Sequence, residues 1–366
     1  MRKVQIMRHL VDEDPEVLFR RANRVRRHFT GDDVHLRAVL GISSHCVKDC
    51  VFCGMQAANT KMLRHRMDKK EVSEIVRRAT EAGIRSITLE SGIDNGISGQ
   101  EIADIVLAAK TVDPSVAITL ALGDQPEREF NRWREATADR YQLPFVSSTP
   151  RLHKKFVPHS TIEDRIRAIR LVQKSGYQIV SGFIAGLPGQ TPDDIADDLL
   201  LLKRLDIDLV EIDPFIPHPD TSLANEPQVN IELVLRSLAV ARIVMKQIHI
   251  GAPITLENLD RSTYLTAFEV GINSISIDIT PSRYASHFHA HPGRTPSDVP
   301  IAERVQALQR MVKNIGRRLS ASRGDAYSFK NKRSPKKRLL PGDLVTIKNV
   351  SPSQWLSDQR RKANWS

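Results

Sequence analysis

The chain has 366 residues, 40 % of them hydrophobic and 27 % charged, with a formal net charge of +11 and only three cysteines. These are globular proportions, and they exclude a disordered, collagen-like or disulfide-stapled protein. No run approaches the ~20 apolar residues that span a bilayer. The opening Met1-Arg-Lys-Val-Gln-Ile-Met-Arg-His-Leu10 also lacks the apolar stretch of a secretory leader, so a cytoplasmic, reducing location is expected.

In chain order, residues 1–33 read as a helical lead-in. Apolar, β-branched runs then recur at Val34–Leu40, Ser86–Glu90, Val116–Leu122, Asp139–Leu143, Tyr177–Ala185, Leu209–Asp213, His249–Leu256 and Ile272–Ile279. Helical patterns separate them. Asp68-Lys-Lys-Glu71 and Ser160-Thr-Ile-Glu163 read as capping boxes, and Thr191-Pro-Asp-Asp194 as an N-cap followed by proline. Ile231–Lys246 and Ile301–Arg318 carry helix periodicity. Eight strands alternating with helices predict an α/β protein with a (βα)8 TIM-type barrel over residues 34–319. An open doubly wound sheet is the alternative, but no G-x-G-x-x-G follows the first strand.

Residues 320–366 hold 11 Lys and Arg against 3 Asp and Glu, a net +8, which leaves only +3 for the other 319 residues. The charge therefore belongs to a C-terminal tail expected to be flexible. No nucleic-acid partner is expected beyond a weak, salt-sensitive tail contact.

All three cysteines lie in Cys46-Val-Lys-Asp-Cys50-Val-Phe-Cys53, directly after the first strand. An odd number with no cysteine elsewhere to staple argues against disulfides. Structural zinc wants four protein ligands, and His45, adjacent to Cys46, is badly placed as the fourth. Three thiolates on one loop suit three irons of a [4Fe–4S] cubane and leave the fourth iron open. A non-catalytic cluster or zinc scaffold is the bland alternative. In a barrel, chemistry sits on the loops leaving the strands' C-terminal ends. That rim carries the cysteine loop, Ser91-Gly92, Gly123-Asp124, Ser147-Ser148, Gly186-Leu-Pro-Gly189 and Pro214-Phe-Ile-Pro-His218.

The C-x3-C-x2-C loop resembles that of the radical S-adenosylmethionine (SAM) enzymes. Further segments resemble the [FeFe]-hydrogenase maturase (HydE) branch, which is related to biotin synthase and methylornithine synthase. They include Arg64-His-Arg-Met67, Leu120-Ala-Leu-Gly123, Ala138-Asp-Arg-Tyr141, Gly186-Leu-Pro-Gly-Gln-Thr191, Pro214-Phe-Ile-Pro-His-Pro-Asp-Thr221 and Thr280-Pro-Ser-Arg-Tyr284. The likeness runs from about Val34 to Arg294. It implies a cluster on Cys46, Cys50 and Cys53 whose open iron binds the amino and carboxylate groups of SAM. One electron then cleaves SAM to a 5′-deoxyadenosyl radical. It further implies a small-molecule substrate and an electron donor such as a ferredoxin or flavodoxin.

By the same resemblance, Phe52 packs near the adenine, Ser91 and Gly92 meet the amino-acid end, and Arg165 meets the SAM carboxylate. Gly182, Gly186 and Leu187 admit the adenosyl group. Where maturases carry Arg-His-Glu-Thr after the fourth strand, this chain has Pro144-Phe-Val-Ser147, so the SAM-contacting glutamate becomes Val146. Asp94 and Asp124 are the candidate substitutes. Ser147, His218, Thr255, Tyr284 and His291 join them on the substrate side, with Tyr284-Ala-Ser-His-Phe-His-Ala-His291 in place of tyrosines. No cysteines remain for a second cluster. The implied function is a HydE-like step in assembling a hydrogenase-type metallocofactor. The alternative is a mutase or sulfur-chemistry reaction on an amino-acid-like substrate.

Overall fold

The computed structural model describes residues 1–327, apart from 260, 286, 288–291 and 293–296. Eight parallel strands close into a barrel: β1 (Asp33–Ser43), β2 (Ser86–Ser91), β3 (Ala117–Ala121), β4 (Arg140–Gln142), β5 (Gln178–Ala185), β6 (Leu209–Pro214), β7 (His249–Ala252) and β8 (Ser274–Asp278). Each pairs with the next, and β1 pairs with both β8 and β2. The expected barrel is therefore present. No helix among the described residues is long and apolar enough to cross a membrane.

Local chemistry sets the helix boundaries. Asp68 accepts from the Glu71 N–H to open the helix Lys69–Glu81. Thr191 and Asp194 form a reciprocal capping box ahead of Pro192–Arg204. The box expected at Ser160 and Glu163 lies one residue on, at Thr161 and Asp164, and opens Ile162–Lys174. The seventh strand is shorter than the His249–Leu256 read from sequence. Pro253 has no N–H for the ladder, and the chain turns there into the helix Ile254–Leu259. The last long helix, Ile301–Asn314, ends before the expected Arg318, where Gly316 adopts φ +72°. The lead-in forms two helices, Lys3–Val11 and Pro15–Thr30, packed on the outer helices Pro192–Arg204 and Ile231–Met245. Arg236 donates to the His9 and Glu13 carbonyls across that contact.

The strand register sorts side chains into two environments. One alternating set, including Leu40, Leu89, Leu120, Tyr141, Ile212 and Ile275, is buried beneath the helices. The other faces the barrel axis, as contacts between non-adjacent strands prove. Gln142 of β4 donates to Glu211 of β6 at 2.8 Å, and the rings of His35 on β1 and His249 on β7 meet at 4.7 Å. In the lower half of the lumen, Arg37, Thr88, Thr119, Arg140, Gln178 and His249 are buried. In the upper half, Val39, Glu90, Ala121, Gln142, Glu211, Asp213, Ser276 and Asp278 are only partly so. The interior is a polar well open toward the C-terminal rim, rather than the packed layers of aliphatic residues typical of such barrels.

A ninth strand, β9 (Arg318–Ser320), pairs in parallel with the start of β1. The chain then crosses the barrel floor as a strap that runs to Tyr327. Arg140 donates to the Arg323 carbonyl at 2.7 Å and to the Asp325 carboxylate at 3.0 Å. Gln178 bonds both Asp325 and the Ala326 N–H. The Tyr327 ring stacks on His249 at 4.7 Å. Arg323 pairs with Asp139, which also holds the buried Lys110 at 2.6 Å. Residues 320–327, assigned to the tail from sequence, are thus packed against the barrel.

Candidate active site at the cysteine loop

Strand β1 delivers the chain to the cysteine loop through an irregularity between Gly41 and Ser43. Neighbouring loops pin that loop in place. The Val47 N–H donates to the Ile93 carbonyl at 3.0 Å, and the Val51 N–H to the Phe156 carbonyl at 3.1 Å. The Arg64 guanidinium donates to the carbonyls of Ser44, Met55, Gln56 and Asn59, gathering both ends of the loop around one cation. Gly92 is required for this packing: a Cβ there would lie 2.4 Å from the His45 carbonyl oxygen and 2.5 Å from the Cys46 Cβ. Ser91 closes the turn by donating to the Gly92 carbonyl. Phe52 is half-buried against the core.

The three cysteines are free thiols, each partly exposed. Burial, then the neighbouring Cys46, pushes the Cys50 thiol up to about 12, and burial raises Cys53 as well. Metal must therefore displace protons on loading. Among the described residues, no three His, Cys, Asp or Glu side chains converge on a single ion. One thiolate per iron of a multi-iron cluster matches this donor set better than one zinc held by all three.

Beside Cys50 lies a second group of polar side chains. Arg165, buried near the start of its helix, pairs with Asp124 at the end of β3 at 3.1 Å. Each keeps one buried atom without a partner, Arg165 Nε and Asp124 Oδ1. His153 donates through Nδ1 to the Phe145 carbonyl at 2.9 Å, and its Nε2 is likewise buried and unpartnered. Orphaned buried polar atoms are rare. An unmatched cation–anion pair beside the thiols fits the carboxylate and ammonium of a bound amino acid. His159, which sequence reasoning missed, places Nε2 3.9 Å from the Cys50 sulfur.

The remaining predicted residues divide by their partners. Asp94 is held by Arg66 through two bonds of 2.7 and 2.8 Å and also by Ser43, so it ties loops together and is not a spare carboxylate. The Ser147 hydroxyl turns away from the well and donates to the buried Asp198. Asp198 also accepts from Ser148 and Gln190, and Gln190 in turn accepts from the Gly186 and Leu187 N–H groups. One carboxyl, raised by burial to about 7, thus sews the loops after β4 and β5 together. The space beside two glycines is filled by the protein itself. A Cβ on Gly182 would lie 1.6 Å from the Glu211 carbonyl oxygen, and one on Gly186 2.1 Å from Val229. Leu187 is buried in the core. His218 Nδ1 accepts from the Asp220 N–H. Thr255 is buried in a helix rather than a strand, its hydroxyl unpartnered. Tyr284 stacks on His65 at 4.4 Å and donates to Glu71. His291 lies outside the described residues.

Val146, where the resemblance implies a lost glutamate, has φ +69°, and the Ser147 N–H donates to the Phe145 carbonyl across it at 2.8 Å. This is a γ-turn in the left-handed region, which β-branched residues seldom adopt. Such strain clusters at functional sites.

The descriptions of known families agree with this geometry. The radical SAM superfamily matches residues 40–202, and the biotin and thiamin synthesis associated domain matches residues 212–315. The [FeFe] hydrogenase maturase subunit HydE of Thermotoga maritima is 37 % identical over 303 residues, covering 83 % of this chain and 86 % of that one. The chain belongs to the radical SAM enzymes, in the HydE family. Biotin synthase of Agrobacterium fabrum is 27 % identical over 272 residues, 72 % of this chain and 79 % of that one. Methylornithine synthase (PylB) superposes with a TM-score of 0.77 at 19 % identity, covering 87 % of this chain and 94 % of that one. The hydrogenase maturase HydG gives 0.76 at 14 % identity, with 95 % and 77 % covered. These two structures share the fold. As a radical SAM enzyme, this protein uses a [4Fe–4S] cluster and SAM.

Proposed function

We propose that this radical SAM enzyme performs the HydE step in assembling the metallocofactor of a hydrogenase. The observation that carries the reading is identity of 37 % to HydE, sustained over 83 % of the chain. Cys46, Cys50 and Cys53 hold the cluster, which supplies the electron that cleaves bound SAM to a 5′-deoxyadenosyl radical. Arg165 receives the SAM carboxylate, and Asp124, with its orphaned oxygen, accepts from the ammonium. The turn at Gly92 keeps the amino-acid end against the cysteine loop. The well below receives the small-molecule substrate. A ferredoxin or flavodoxin of the reducing cytoplasm delivers the electron.

Two experiments test this. The reconstituted protein, given dithionite and SAM, releases 5′-deoxyadenosine, and Cys50→Ala does not; equal release from both overturns the cluster assignment. Expressed with the remaining maturases and an apo-hydrogenase, the chain restores hydrogen production to a host lacking HydE. SAM cleavage without restoration would assign the enzyme to another substrate.

A further inference from the structure

The segment after the helix Pro150–Phe156 is latched onto the cysteine loop. The Phe156 carbonyl accepts from the Val51 N–H, the residue after Cys50, and the Lys154 ammonium caps the Pro158 carbonyl at 2.6 Å. The Ser160 N–H closes the turn on Val157. These bonds hold His159 over Cys50, with Nε2 and the sulfur 3.9 Å apart. His159 is itself exposed, whereas Arg165 of the pair that we assign to SAM is buried.

We propose that His159 donates an Nε2–H···S hydrogen bond to the Cys50 thiolate and thereby sets the reduction potential of the cluster. A metal-bound thiolate can only accept, so loading the cluster fixes the tautomer with hydrogen on Nε2. Reduction adds an electron whose charge is spread onto the sulfurs. A donor aimed at one of them therefore stabilises the reduced cluster more than the oxidised one and raises its potential. His159 is a positioning and tuning residue that acts through a ligand of the cluster.

The inference rests on the cluster assignment, and the test keeps the two apart. Wild type, His159→Phe and His159→Gln are reconstituted anaerobically as full-length chains, and iron is counted. Their midpoint potentials are then read by EPR-monitored titration without SAM. Phe keeps the bulk and removes the donor; Gln keeps a donor. The expected result is about four irons in each, a more negative potential for His159→Phe, and a Gln potential between Phe and wild type. Equal potentials for Phe and wild type overturn the hydrogen bond and leave the cluster standing. A wild type that binds no four-iron cluster overturns both. Should His159→Phe fail to load, the wild type decides alone. With 15N-labelled histidine, the reduced cluster shows a weak nitrogen hyperfine coupling, and its absence overturns the proposal.

Discussion

At the scale of residues, the proposed SAM contacts fall on side chains whose partners are incomplete. Arg165 and Asp124 face each other, yet each leaves one buried atom unmatched. Charge-assisted hydrogen bonds are worth ~1.5–3 kcal/mol. Arg165→Gln and Asp124→Asn should therefore each weaken SAM binding by roughly 10- to 150-fold, measured by equilibrium dialysis on the reconstituted protein. Unchanged affinity would show that the pair only supports the loop. Asp139 behaves in the opposite way, because its partners are complete. Burial alone would raise its carboxyl, but Lys110 and Arg323 outweigh burial and hold it at about 2. Its stabilisation is present above the unfolded carboxylate range and is lost as pH falls through about 2. A displacement of that size corresponds to roughly 2–3 kcal/mol. Urea midpoints of Asp139→Asn should therefore depend less on pH between 4 and 2 than those of wild type.

At the scale of elements, the sequence was legible wherever local chemistry dictates structure. Three cysteines at cluster spacing declare their loop, and β-branched runs declare the eight barrel strands. The errors arise where distant groups decide. The seventh strand is the exception, because Pro253, two residues before Thr255, is a local signal that the strand ends early. A valine is the last residue from which to expect a positive φ, yet bonds from β5 and Asp198 impose one at Val146. His159 reads as one polar residue before a helix, and only the fold brings it to Cys50. Asp94 looked available because its partner Arg66 is 28 residues away. The turn at Gly92 gives the sharpest element-level prediction. Its missing Cβ is what lets the loop after β2 touch Cys46. Gly92→Ala should push the cysteine loop outward and cut iron incorporation by half or more while the far-ultraviolet circular dichroism stays that of wild type. Full iron loading in that variant would mean that the two loops yield without cost.

For the whole molecule, the polar well and the strap beneath it form one arrangement. A lumen lined with Arg37, Arg140 and His249 cannot pack like an aliphatic core, so its lower polar groups need partners from elsewhere, and residues 323–326 provide them. Removing one partner of a buried pair costs roughly 3–5 kcal/mol. A chain ending at Tyr327 should therefore unfold at clearly higher urea than one ending at Ser320, although they differ by seven residues. Coincident transitions would show that water replaces the strap. The strap also imposes an order on biosynthesis. All eight barrel strands leave the ribosome before Asp325, the carboxylate that Arg140 needs. Until then the nascent barrel carries an unneutralised guanidinium at its base. The strap residues act as a completion signal, so a message truncated shortly before them yields a chain that has all eight barrel strands and no finished floor.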